Sequence, residues 1–266
     1  MCSGIVSCEA ILKEQRRLGA DDTFRFRCDA SLDCFTHCCR DVSIVLTPYD
    51  IIRLKRKLGI DSSEFLEKYT ISPFTPEQKF PIVLLKMDGD TKCPFVREEG
   101  CSVYDGRPWA CRMYPLGVAD PKNTTPDDRR FHFLIREDLC HGHEQGEERS
   151  VSRWVIEQGI EEYEMAGVSF RDLTLHDFWE GGEVLPPEKM DMFYMACYDI
   201  DRFRRFVFET RFLDRFLVDE ARVEAMRNSD LELLDFAMQW LRFCLFRERT
   251  MKLNNPPAEA GRGRQR

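Results

Sequence analysis

The chain has 266 residues, and 39 basic against 47 acidic side chains leave a net charge of −8. At ~150 residues per domain that is one large or two small domains, long enough to bury a core. The acidic balance argues against a general nucleic-acid binder, which needs a basic footprint. A hydrophobic content of 43% and a mean hydropathy of −0.43 fit a soluble globular chain, and no apolar run nears the ~18 residues of a membrane span. The outlier is cysteine: there are twelve, ten of them in the first 140 residues.

Residues 1–23 form an N-terminal segment carrying Cys2 and Cys8, a C-x5-C pair whose role is left open. No basic stretch precedes an apolar one there, so the segment does not read as a signal peptide and the expected compartment is the cytoplasm. A reducing cytosol disfavours a disulfide framework, which turns clustered thiols towards metal. The first cluster is Cys28, Cys34, Cys38 and Cys39, spaced C-x5-C, C-x3-C and then adjacent. Loops this short let several sulfurs converge at small loop-closure cost. Neighbouring side chains point in different directions, so Cys38 and Cys39 need not serve the same metal.

Thr47, Pro48 and Asp50 predict a helix start, with Thr47 as N-cap and Pro48 in the first position. Ile51, Leu54 and Leu58 keep helical spacing, and Gly59 ends the run. The basic residues Arg53, Lys55, Arg56 and Lys57 read as a solvated face, or else as a dock for an acidic partner. Asp61 to Glu64 has capping-box spacing and opens a second helix. Residues 81–87 read as a strand entering a turn, with Phe131–Ile135 as its expected partner. Between them lie Cys93, Cys101 and Cys111 in a turn-rich stretch marked by Pro94, Gly100, Gly106, Pro108 and Pro115; Cys140 follows.

From Ser150 the pattern is helical. Val151, Trp154, Val155 and Ile160 fit one buried face. Met190 to Phe216 carries Met and aromatic residues at helical spacing, interrupted over Asp199–Arg205. Leu231, Leu234, Ala237, Met238 and Leu241 make an amphipathic helix. These stripes read as core, as do Cys197 and Cys244 in their apolar surroundings. The Pro/Gly-rich tail is expected to be disordered. The predicted fold is α+β: a small metal-organised, cysteine-rich domain of short strands and helices over 24–149, then a mainly α-helical region over 150–250 and a tail over 251–266.

Thiolates are soft ligands that suit zinc and iron–sulfur clusters, and both commonly take four sulfurs. The candidate ligands are Cys28, Cys34, Cys38, Cys39, Cys93, Cys101, Cys111 and Cys140. They could build two four-thiolate sites, or one site plus spare thiols. The spacing matches neither the bacterial ferredoxin run nor paired C-x2-C zinc knuckles. His37, His141 and His143 lie close enough in sequence to be mixed ligands or donors behind the ligands, whereas His132 and His176 read as ordinary residues. Arg40, Arg107 and Arg112 would balance thiolate charge, or pair on the surface. No nucleotide-binding, zinc-protease or serine-hydrolase motif is present, so no catalytic residue is assigned.

One order of residues is specific as a whole: Phe26, Arg27 and Cys28, then Cys34, then Cys38, Cys39 and Arg40, then Leu46 to Leu54. Cys93 and Pro94, Cys101, Tyr104, Arg107 and Pro108, Cys111 and Arg112, Tyr114 and Pro115 continue it, and Cys140 with Gly142 and Gly146 closes it. Over roughly residues 24 to 165 this resembles the YkgJ-like cysteine-cluster family of zinc- or iron-chelating domains. The commonest pattern of that family is tighter, C-x2-C-x2-C-C. One branch resembles flagellin lysine N-methylases, whose cysteine cluster is linked to an iron–sulfur centre. The resemblance therefore implies an iron–sulfur cluster such as 4Fe-4S as first cofactor and zinc as second. The function it implies is a cytoplasmic metal-binding protein with a structural, redox or accessory role. The alternatives are a metal-dependent protein-modifying enzyme like those methylases, and a metal chaperone or sensor. A protein partner is left open; nucleic acid and membrane are not expected.

Overall fold

The computed structural model describes residues 16–73, 75, 78–120 and 130–254. Cys2, Cys8 and the tail beyond residue 254 lie outside the described residues. The described residues form short antiparallel strands and ten α-helices; strands and three of the helices alternate in the first half, and helices dominate the second, which makes the fold α+β as expected.

β1 (Thr23–Phe26) pairs with the long β9 (His143–Ser150), Thr23 facing Ser150 and Phe26 facing His143. Phe24 and Phe26 point inward onto Trp154, in edge-on ring contacts of 5.7 and 5.8 Å. With Leu18, Met113, Leu116, Val151 and Ile160 they form a small core. β7 (Leu116–Ala119) and β8 (Phe131–Leu134) pair beside it. Gly117 leaves room for the Phe133 ring, which a Cβ there would meet at 2.4 Å and push aside. The expected pairing of Phe131–Ile135 with residues 81–87 is not made. β4 (Val83–Leu85) lies instead between β2 (Val45–Leu46) and β3 (Thr70–Ile71), and Phe131 packs into the small core, on a different sheet.

α1 (Pro48–Leu58) begins and ends where its sequence says. The Thr47 hydroxyl accepts from Asp50 N–H, Asp50 accepts from Thr47 N–H, and Gly59 closes the helix at φ 68°. α2 (Ser62–Tyr69) is capped by the Asp61 carboxylate accepting from Glu64 N–H at 2.8 Å. α3 (Trp109–Met113) is short and carries Cys111. α4 (Val151–Glu157), α5 (Ile160–Ala166) and α6 (Val168–Thr174) follow β9. α7 (Pro187–Cys197) and α8 (Ile200–Glu209) are separated only at Tyr198 and Asp199, so the expected interruption over Asp199–Arg205 is a cap rather than a gap: Asp199 accepts from Arg202 N–H and restarts the helix. α9 (Glu220–Asn228) and α10 (Asp230–Phe246) complete the chain of helices.

A second, larger core joins the two halves. Leu46, Ile51, Leu54, Phe65 and Val83 share it with Phe193, Phe203, Met238 and Leu241. Polar groups tie the same seam. The Lys55 ammonium lies 2.8 Å from Asp201 and 3.4 Å from Asp230, and Ser62 donates to Asp199 at 2.7 Å. Of the basic run on α1, then, Lys55 is buried and paired rather than solvated. Trp109, on α3, packs against both cores. No helix among the described residues is long and apolar enough to cross a membrane.

Candidate metal centre

The eight cysteines come from four places in the fold. Where β1 ends, Arg27 N–H donates to Gly142 C=O at 3.1 Å, which sets Cys28 beside the loop that carries Cys140. A Cβ at Gly142 would lie 2.3 Å from the Arg27 carbonyl, so only glycine permits this approach. From Cys28 the chain winds through tight turns, Leu32 N–H to Asp29 C=O and His37 N–H to Cys34 C=O, into a single 3₁₀ turn over His37–Cys39. The Cys34 sulfur, 9% exposed, accepts from His141 N–H at 3.2 Å. Burial pushes the Cys28 thiol up to about 11, and the nearby Cys38, Cys140 and Cys34 add to the rise. Cys28, Cys34, Cys38 and Cys140 are thus one electrostatic neighbourhood, at the edge of the small core that Cys140 touches.

The other four gather around Cys39. Cys93 N–H donates to Cys39 C=O at 2.8 Å, and Arg40 bridges to Lys92. The hairpin of β5 (Val96–Arg97) and β6 (Gly100–Cys101) brings Cys101 back opposite Val96. Burial pushes the Cys93 thiol up, and Cys101 contributes. Burial likewise pushes Cys111 up to about 12, with Cys93, Asp50 and Cys101 adding and Arg107 opposing. Cys39 completes this neighbourhood: its thiol donates to Cys38, which raises its own pKa and lowers that of Cys38, and Cys93 and Cys111 are its further thiol neighbours. Cys93 and Cys101 pack against the large core.

Asp50 organises the second group. It is fully buried. Its Oδ1 accepts Trp109 N–H at 2.7 Å, so the carboxylate that caps α1 also fixes the start of α3, two residues before Cys111. Sequence reading placed Asp50 in the first turn of α1 but missed this second contact, because nothing local links residues 50 and 109.

Of the three predicted arginines, Arg107 faces thiols of both groups, opposing the rise at Cys28 and Cys111 and favouring the Cys38 thiolate. It is steadied by Gln158 at 2.9 Å and lies over the Tyr104 ring. Arg112 does not face the sulfurs as expected. It donates to the carbonyl oxygens of Tyr104, Asp105, Arg107 and Gln158 and to the Tyr163 hydroxyl, and so braces the loop that holds Arg107. Arg40 is exposed.

The histidines separate too. His141 Nδ1 meets Asp33 at 2.7 Å, and with the Cys34 sulfur these donor atoms lie within 4.8 Å of one another. His143 is sandwiched near Phe26 and Tyr114, and burial lowers its pKa. His37 is exposed. Cys197 is buried in the large core and Cys244 packs against it, in keeping with their apolar contexts.

Eight soft donors in two neighbourhoods suit thiolate-bound metal. The surroundings fit as well. Arg107 Nε is buried without a hydrogen-bond partner, and the Tyr114 hydroxyl lies beside Cys140, with burial first and then Cys140 raising its pKa. Buried polar groups are seldom left unpaired, and donors turned towards thiolates are what such a site uses. Among the described residues no three cysteine sulfurs lie within 4.8 Å of one another.

Residues 27–145 match the CxxCxxCC family model, described as a putative zinc- or iron-chelating domain. The match spans all eight cysteines and bears out the cysteine-cluster resemblance, and it supports metal binding in general. No curated protein and no solved structure matches the chain.

Proposed function

We propose that this is a cytoplasmic metal-binding protein whose eight clustered cysteines hold iron–sulfur centres in a structural or redox role. The observation that carries the reading is the gathering of eight soft sulfur donors into two neighbourhoods of four, enough for thiolate-bound centres. Iron is placed ahead of zinc on the resemblance to the flagellin lysine N-methylases, whose cysteine cluster is linked to an iron–sulfur centre. The acidic chain and its many thiols agree with a reducing compartment.

Zinc is the second reading, and Asp33, Cys34 and His141 favour it. Their donor atoms are already within 4.8 Å, and sulfur, nitrogen and carboxylate oxygen are all zinc ligands. Metal and acid-labile sulfide content, with an absorption spectrum, separate the two on protein purified without oxygen and without a metal-binding tag. Brown protein with matching iron and sulfide is the expected result. Colourless protein holding zinc would replace the first reading with the second. Protein with neither metal would overturn both.

A further inference from the structure

We infer that the eight cysteines form two separate metal sites of unlike exposure, split at the peptide bond between Cys38 and Cys39: an outer site of Cys28, Cys34, Cys38 and Cys140, and an inner site of Cys39, Cys93, Cys101 and Cys111. This rests on the metal-binding reading above and extends it to number, ligand assignment and lability.

Two observations of geometry divide the cysteines the same way. The first is the backbone. The outer group is assembled by β1 and the Cys140 loop, through Arg27 N–H to Gly142 C=O and His141 N–H to the Cys34 sulfur. The inner group is assembled by the Cys39–Cys93 backbone bond, the β5–β6 hairpin and α3. The second is packing: Cys140 lies against the small core, and Cys93 and Cys101 lie against the large one. Electrostatic proximity agrees with both. The thiol neighbours of Cys28 are Cys38, Cys140 and Cys34, whereas those of Cys111 are Cys93 and Cys101. Cys38 and Cys39 touch each other but face opposite groups. Adjacent residues in a 3₁₀ turn leave the axis about 120° apart, so one turn can supply a ligand to each side.

Exposure then distinguishes the sites. Cys28 and Cys38 are exposed beside a buried Cys34, whereas the inner four are all half-buried and none is exposed. The outer site opens to solvent and exchanges its metal while the fold persists. The inner site is part of the wall of the large core and releases metal only when that core opens.

The test is metal per chain on the full-length protein, with circular dichroism as the control for folding. Cys28→Ser with Cys140→Ser should halve the metal and leave the spectrum unchanged. Cys101→Ser with Cys111→Ser should remove the other half. Because the inner variant risks unfolding, the wild type is also mixed with a colorimetric chelator for iron or zinc. Two phases of equal size are expected: a fast one at constant helicity, and a slow one that tracks unfolding. A folded outer variant with no metal at all, or release in one phase, would overturn the two-site assignment and leave metal binding intact. A wild type that binds no metal would instead overturn the metal-binding reading itself.

Discussion

Asp50→Ala tests how the fold holds the inner cysteines. Asp50 receives Thr47 N–H at 2.7 Å and the Thr47 hydroxyl at 2.8 Å on one oxygen, and Trp109 N–H at 2.7 Å on the other. Truncation removes one arm of the α1 cap, at about 1 kcal/mol. It also leaves the Trp109 N–H buried without an acceptor, at about 1–3 kcal/mol. Burial raises the Asp50 pKa, so its removal returns part of the desolvation cost. The net loss should be about 1–3 kcal/mol, read as a lower urea midpoint at unchanged slope by tryptophan fluorescence. Asp50→Asn keeps one acceptor but turns an NH₂ group towards donors, and should recover less than half of that loss. Metal at Cys39, Cys93, Cys101 and Cys111 should be held more weakly in both variants, because α3 loses its anchor two residues before Cys111. A loss below ~1 kcal/mol, or inner-site metal held as tightly as in the wild type, would refute the reasoning.

Other outcomes follow from the same structure. Gly142→Ala places a Cβ 2.3 Å from the Arg27 carbonyl and should reduce metal at the Cys28 group alone, whereas Gly89→Ala, with nothing within 4 Å, should change neither metal content nor midpoint. Lys55→Met leaves Asp201 without its buried cation, whereas Asp230 keeps Arg204 at 2.6 Å and Arg56 at 3.1 Å, and should cost about 1.5–3 kcal/mol in urea unfolding, with little response to added salt. Burial, aided by Arg130, lowers the His132 pKa below its usual 6.5, so the unfolded chain binds the proton more readily. Stability should therefore be full above pH 6.5 and decline as pH falls towards the folded value. His132→Gln should make that decline shallower between pH 7.5 and 5.5, and an unchanged slope would exclude His132 as its source.

What the sequence showed and what it hid divide along the range of the interactions. The limits of α1 were legible because Thr47, Asp50 and Gly59 act within a turn of their own backbone. The Asp61 cap was legible for the same reason. β9 was not, since His143–Ser150 is polar with no alternation; it is a strand because β1 needs a partner for Phe24 and Phe26 to reach Trp154. The partner of Phe131–Leu134 was misread because a short apolar strand does not encode which edge it joins. The eight cysteines stood out by count and spacing. Their division did not, because it depends on a glycine contact at residue 142 and on the Cys39 carbonyl, neither of which leaves a mark on spacing.

Charge explains why Arg107 sits between the two groups. Four thiolates around an iron–sulfur cluster, or around zinc, leave a site net negative, and this chain is already acidic at −8. Two such sites on neighbouring residues would repel each other through a partly dry interior, where a unit charge a few ångströms away is worth several kcal/mol. Arg107 answers from one position: it acts on Cys28, Cys38 and Cys111, and hence on both sides of the 3₁₀ turn. Its Nε has no other partner, Gln158 and Tyr104 fix its plane, and Arg112 clamps its carbonyl. Gln158 belongs to the helical half of the chain. The helices after residue 150 therefore do more than fill a core. They hold in place a cation that faces both groups of sulfurs, which ties metal binding in the first half of the chain to folding of the second.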